Sequence, residues 1–260
     1  MPIQTAWPLL VVLASPPSPC DVSVEPPRVP DREPSAGYGS GSLYDGAGGR
    51  ENAPLGVGHL KLHSRDDIWD WWLKIAIPLY SEPGAEPWGW FVNGWLASAS
   101  PAPREAKPMG VSGLVETDYE TLSFVVLENR DDGWVRFRYG KPAEGRDGLA
   151  WTHICHVEAQ GLRFKTWEDR FMSGEISPLT FRSPVPHALR AGPAESSERL
   201  LWIGVDHHLE PLEFQDDWMR VRVKQPSDYC RDIDVAEHEG WVRWHSFEKG
   251  PWVWYFTRGC

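Results

Sequence analysis

The chain has 260 residues, 41% of them hydrophobic, which is enough for one large or two small cores, so disorder throughout is excluded. A formal net charge of -11 at pH 7, with no lysine-arginine cluster, removes the electrostatic footprint of a nucleic-acid or anionic-membrane binder. The 16 tryptophans fall in short clusters; they suit small β domains that close their cores with large flat side chains, and leave open a second use in stacking on a sugar or peptide.

Residues 1–20, "MPIQTAWPLLVVLASPPSPC", hold an apolar run from Trp7 to Ala14 that is too short to cross a bilayer and has the length of a secretory h-region. The expectation is an exported protein, periplasmic or secreted, with Cys20 a candidate for lipid attachment. Against it, no lysine or arginine precedes the run, and Pro17, Ser18 and Pro19 stand where a lipoprotein signal sets leucine and small residues. The competing reading is a disordered apolar tail. Residues 21–58 are dominated by Pro, Gly, Ser and charged residues and cannot bury enough apolar area to offset their ordering entropy, so a flexible linker is expected there.

Folded structure is expected from near Leu60. "DDIWDWWLKIAIPLYSEPG" passes from tryptophan-rich to alternating apolar residues and ends in a turn signal at Pro83-Gly84, which predicts a strand. "WGWFVNGWLA", "LSFVVLE", "WVRFRYG" and "LAWTHICHV" are short, rich in β-branched and aromatic residues and bounded by Gly, Asp or Pro; all read as strands, and no stretch reads as helix. The proline-rich patch from Ala97 to Gly110 reads as a surface insertion, and "SGEISPLTFRSPVPHA" divides the chain into two halves.

The halves are related. In "LENRDDGWVRFR" and "LEFQDDWMRVR", Leu127, Glu128, Asp131 and Asp132 match Leu212, Glu213, Asp216 and Asp217. After deletion of Gly133, the pairs Trp134/Trp218, Arg136/Arg220 and Arg138/Arg222 match as well. "GLAWTH" is answered by "EGWVRW" and "LYSEPGAEP" by "LRAGPAESS". The aspartates are expected in a hairpin turn, with Gly133 supplying a backbone that reaches positive φ. Alternation then puts Trp134, Arg136 and Arg138 on one strand face, with Val135, Phe137 and Tyr139 on the other. A duplicated aspartate turn favours a structural role over a catalytic carboxylate pair.

The succession "ALRAGPAESSERLLWIG", "LEPLEFQDDWMRVRV", "EGWVRW" resembles the bacterial Src-homology-3-like (SH3b-type) domain, with its L-x-x-R/S-G-P-S turn, its V-L-E hairpin and its closing G-W-V strand. The first half matches through "IPLYSEPGAEPWGWFVNGWL", "VLENRDDGWVRFRY" and "GLAWTH", departing where Leu149 and Ala150 interrupt the G-W pair. The resemblance implies an all-β protein with two small, strongly bent Src-homology-3-like barrels in tandem after the disordered arm. Residues 60–175 would form the first barrel, with its insertion, and residues 186–260 the second. It further implies a non-catalytic binding module of the cell envelope.

Other groups in the chain have plainer readings than a functional site. His153, Cys155 and His156 in "HICH" include metal-ligand types, which His207 and His208 would complete only if the halves pack suitably; ordinary strand residues, and no metal, are the expectation. Cys230 lies in a hairpin loop of the second half and Cys260 ends the chain, so a disulfide between them is expected, worth about 3 to 4 kcal/mol, leaving Cys155 unpaired. Glu168, Asp169 and Arg170 in "TWEDRF" are expected to anchor the segment leaving the first barrel, with Trp167 and Phe171 inward. In "WVWYF", Trp252, Trp254 and Phe256 share one face and Val253 and Tyr255 the other, and one face is expected to be open.

The expected function is therefore a non-catalytic binding or scaffolding module of the bacterial cell envelope, without cofactor or transmembrane span. It would meet a peptide, a glycan or cell-wall fragment, or a protein partner through Trp134, Arg136, Arg138, Trp218, Arg220, Arg222, Trp252 and Trp254. Tryptophans that simply close small cores are the competing use. An envelope hydrolase with its site between the barrels is the alternative, although G-x-S-x-G and H-E-x-x-H are both missing from the chain.

Overall fold

The computed structural model describes residues 18, 20, 25–31, 54–62, 71–99, 106–108, 114–118, 121–140, 148–173, 178–225 and 236–255. Most of the expected leader and of the linker, with Phe256, Cys230 and Cys260, lie outside the described residues.

The chain is mostly β. Strand β1 (Gly58–Leu62) is followed by a 3-10 turn at Trp71–Leu73, then β2 (Ala76–Leu79), β3 (Gly89–Val92), β4 (Trp95–Ser98), β5 (Lys107–Pro108), β6 (Leu114–Asp118), β7 (Thr121–Asn129), β8 (Trp134–Gly140) and β9 (Gly148–His153). Helix α1 (Ile154–Ala159), β10 (Leu162–Thr166) and helix α2 (Trp167–Met172) complete the first half. The second half comprises β11 (Leu179–Phe181), β12 (His187–Arg190), β13 (Arg199–Ile203), β14 (His208–Gln215), β15 (Trp218–Gln225), β16 (Ala236–Arg243), β17 (His245–Ser246), β18 (Gly250–Pro251) and β19 (Val253–Tyr255).

All pairings are antiparallel. One sheet runs β10-β1-β7-β8-β9, with β6 also on β7; another runs β13-β12-β16-β15-β14-β11-β19; β2-β3-β4-β5 and β17-β18 form the rest. Among the described residues no sheet closes into a barrel.

The two halves repeat in three dimensions. Hairpins β7–β8 and β14–β15 each carry a register shift at the leucine of the L-E pair, between Val126 and Glu128 and between Pro211 and Glu213. Arg136 pairs with Trp151 and Arg220 with Trp241. Tyr80 bridges to Trp151, and Arg190, the residue at the corresponding place after its leucine, bridges to Trp241. The expected turns are present. Gly133 has φ 85° in the first copy, and where the second copy lacks it Asp216 takes up the left-handed backbone at φ 51°.

Two expectations about elements are corrected. "ICHVEA" is helical: the strand stops at His153, whose Nδ1 accepts from the Cys155 N–H at 3.3 Å and so caps α1. Thr166 caps α2 in the same way, its Oγ1 accepting from the Asp169 N–H at 3.0 Å. These helices have 6 residues each, less than two turns, and are too short for an apolar period to show in sequence. The insertion also contributes structure, since Ala97 is buried in β4 and β5 pairs onto that strand.

Two apolar cores lie on either side of β7. Leu122, Phe124 and Val126 face one, with Leu60, Trp71, Ile77, Phe91, Val135 and Phe137. Val125 faces the other, where Val115, Trp167 and Phe171 from the first half meet Leu179, Leu209, Val221, Val242 and Trp254 from the second. A strand buried on both faces accounts for the nearly unbroken apolar run in "LSFVVL". Trp167 and Phe171 point inward as expected, and what they meet is the second half: Trp167 lies edge-on to Trp254 at 5.0 Å. Arg170 is buried beside them, its Nε donating to the Thr117 carbonyl at 2.8 Å.

Candidate functional site

The aromatic and arginine surface expected from sequence divides into buried and neutralised parts. Trp134 is buried, with Tyr80 edge-on at 5.0 Å and His153 at 5.4 Å. Arg138 is buried as well, Nη2 donating to the Pro54 carbonyl at 2.7 Å. Arg136 points outward as the alternation predicts and bonds Glu128 at 2.6 Å. In the second half Trp218 is half-buried, and Arg220 meets Glu239 at 3.1 Å. Arg222 reaches Glu239 and Glu210 at 3.2 Å each, and Lys224 meets Glu237 at 3.5 Å. Glu239, by its hydrogen bond, and Glu210 together raise the Arg222 guanidinium above its usual range. These arginines spend their charge on the chain's own glutamates. Exposed pairs of this kind contribute little to stability, and the glutamates offset the charge that would draw a ligand carboxylate.

The "WVWYF" strand corrects a further expectation. Val253, Trp254 and Tyr255 are all buried and Trp252 is half-buried, so neither face of β19 is open. A lone small barrel could not cover both faces; α2 of the first half supplies the second cover, with Phe171 6.2 Å from both Trp254 and Tyr255.

Among the described residues β13 presents an open apolar surface. It ends its sheet, so among the described residues no strand pairs with its outer edge. Alternation sends Leu201 and Ile203 toward the core, while Leu200 and Trp202 point outward at 47% and 55% exposure. Arg199 stacks over the Trp202 ring at 4.6 Å, and exposed Val205 follows in the next turn. Nothing in "RLLWIG" singled this surface out in sequence, since alternation alone does not say which face of the stretch meets the core.

A second constellation lies at the end of β9. Cys20, a candidate for lipid attachment, is disulfide-bonded to Cys155, expected to be unpaired; their Cα atoms are 5.8 Å apart. This disulfide and a thioether at Cys20 exclude one another. The sequence separation of 135 between the two cysteines hid the pairing, since nothing local to either one signals it. His153 completes the group, its Nδ1 2.9 Å from Cys155 Sγ and 3.9 Å from Cys20 Sγ. Its Nε2 lies 3.0 Å from the Asp132 carbonyl, which brings the repeated aspartate turn against the cluster. A Cβ on Gly133 would come within 2.6 Å of that nitrogen, so the turn needs a glycine here for space as well as for φ. His207 and His208 are buried elsewhere; His207 lies beside Asp206 at 2.7 Å. His156 packs under Tyr80, its Nε2 3.3 Å from the hydroxyl.

No protein-family model, curated protein or solved structure matches the chain. Among the described residues no helix is long and apolar enough to cross a membrane.

Proposed function

We propose that the protein is a non-catalytic binding or scaffolding module of the cell envelope, built from two Src-homology-3-like units, and that an extended peptide segment of a partner docks along β13. The observation that carries this is Trp202, an exposed tryptophan on an edge strand, flanked by Leu200 and stacked beneath Arg199. An added strand would take main-chain hydrogen bonds from the open edge and lay alternate side chains against Leu200 and Trp202. Arg199 favours an acidic residue in that peptide. The shared bulge, turn and bridge positions of the two halves support the Src-homology-3-like reading, and the apolar stretch before Cys20 supports the envelope. The boundary between the halves, packed with Val115, Val125, Trp167, Phe171 and Trp254, favours binding over hydrolysis there.

Selection of displayed peptides on the full chain tests the docking surface. Peptides captured by the parent are expected to bind a Leu200→Ser/Trp202→Ser variant at least about tenfold more weakly, the loss of an aromatic anchor. Equal binding by parent and variant, or perturbation by soluble cell-wall glycan in place of peptide, would sink it.

A further inference from the structure

The N-terminal arm, the last residue of β9 and the first turn of α1 bring Cys20, His153 and Cys155 together, their Sγ, Nδ1 and Sγ atoms all within 4.8 Å of one another. The Asp132 carbonyl 3.0 Å from Nε2 can only accept, so the ring carries its proton there and turns the Nδ1 lone pair toward the sulfurs. Metal-bound histidines are held in this way, one nitrogen on a backbone carbonyl and the other on the ion. With metal–sulfur and metal–nitrogen bonds of about 2.3 and 2.0 Å, tetrahedral zinc sets each sulfur about 3.5 Å from the imidazole nitrogen and the two sulfurs about 3.8 Å apart. The observed sulfur–nitrogen separations of 2.9 and 3.9 Å bracket the first of these. The sulfur pair must open, which reduction of the disulfide permits.

We propose that in its dithiol state this cluster binds one divalent cation of the zinc class through the thiolates of Cys20 and Cys155 and Nδ1 of His153, and that the disulfide is the metal-free form of the same site. Water fills the fourth position, because Cys20 is exposed and His153 and Cys155 are half-exposed. An external dithiol supplies the two electrons and two protons that convert the disulfide to two thiols, and leaves as its own cyclic disulfide. The cation then displaces both thiol protons and takes the imidazole lone pair, and the 3.3 Å contact from the Cys155 N–H to Nδ1 gives way to it.

The test uses the full chain carrying Cys230→Ser and Cys260→Ser, so that Cys20 and Cys155 are the remaining thiols. After reduction by a phosphine, removed anaerobically, the protein is titrated with Co2+ alone and then with Zn2+. One equivalent of Co2+ is expected to give tetrahedral d–d bands and thiolate-to-cobalt charge transfer, erased by Zn2+ and missing from the oxidised protein. Cys20→Ser and His153→Ala should each weaken binding at least about tenfold, a loss that even outer-shell partners produce. Cys20 is exposed and belongs to neither core, so Cys20→Ser keeps the fold, which circular dichroism checks. Zn2+ should also slow alkylation of both thiols. A reduced parent without charge transfer, a Cys20→Ser titration like the parent's, or equal alkylation rates with and without Zn2+ overturns the proposal.

Discussion

His59 is buried against Trp167, their rings stacked at 4.9 Å, and among the described residues neither of its nitrogens has a hydrogen-bond partner. Burial first, and then the Arg170 charge, hold its pKa well below the usual 6.5, so the ring is neutral in the folded protein at neutral pH. The sign follows from linkage. A histidine whose folded pKa is depressed binds its proton more readily when unfolded, so its neutral form contributes full stability above about pH 6.5. That contribution is lost as pH falls further, by up to about 1.4 kcal/mol per unit. His59→Phe keeps the ring stack and removes two unsatisfied nitrogens. It is expected to gain about 1 kcal/mol at pH 7 and more at pH 5. Urea midpoints of parent and variant at the two pH values check this; a stability difference that does not grow between pH 7 and pH 5 would count against it. His187, which burial also shifts down, is unchanged by the substitution and cancels in the comparison.

The repeated hairpin is the element that sequence made most legible, and for a physical reason. Turn chemistry and period-two alternation are local, so the positions of Asp131, Gly133, Trp134 and Arg136 announced the turn, the strand and the outward arginine. What the same pattern could not announce was depth. Arg138 shares a face with Arg136 yet is buried against Pro54, because the chain that covers it comes from 84 residues away. Cys20 reaches Cys155 and His153 from a still greater distance. The two turns also differ in a way that gives a prediction of opposite signs. Gly133→Ala meets both φ 85° and a 2.6 Å approach to His153, and should cost about 1 to 3 kcal/mol. Asp216→Gly relieves a non-glycine residue at φ 51° and should gain about 0.5 to 1 kcal/mol. Thermal denaturation of the two variants checks both signs, and a loss at Asp216→Gly would show that its side chain holds the turn.

At the scale of the whole molecule, two tandem units would be expected to unfold separately if each closed its own core. The second core is completed by Val115, Val125, Trp167 and Phe171 of the first half, and β7 serves both cores at once. Separate closure is therefore not available to the second half, which has the short β11 and β19 where a closed sheet would need longer partners. Trp254 is the side chain on which this coupling turns, since it touches Trp167 at 5.0 Å and Phe171 at 6.2 Å across the boundary. Its truncation in Trp254→Ala removes a large buried ring from the shared layer and should cost about 3 to 5 kcal/mol. The more telling readout is where that loss is felt. If the halves are one cooperative body, amide-exchange protection in β7 and β8 of the first half should fall together with protection in β15 and β16 of the second, and urea should give a single transition. Loss of protection confined to β15 and β16, with β7 and β8 unchanged, would mean that the first half folds independently and that the shared layer is a docking contact between two separate units.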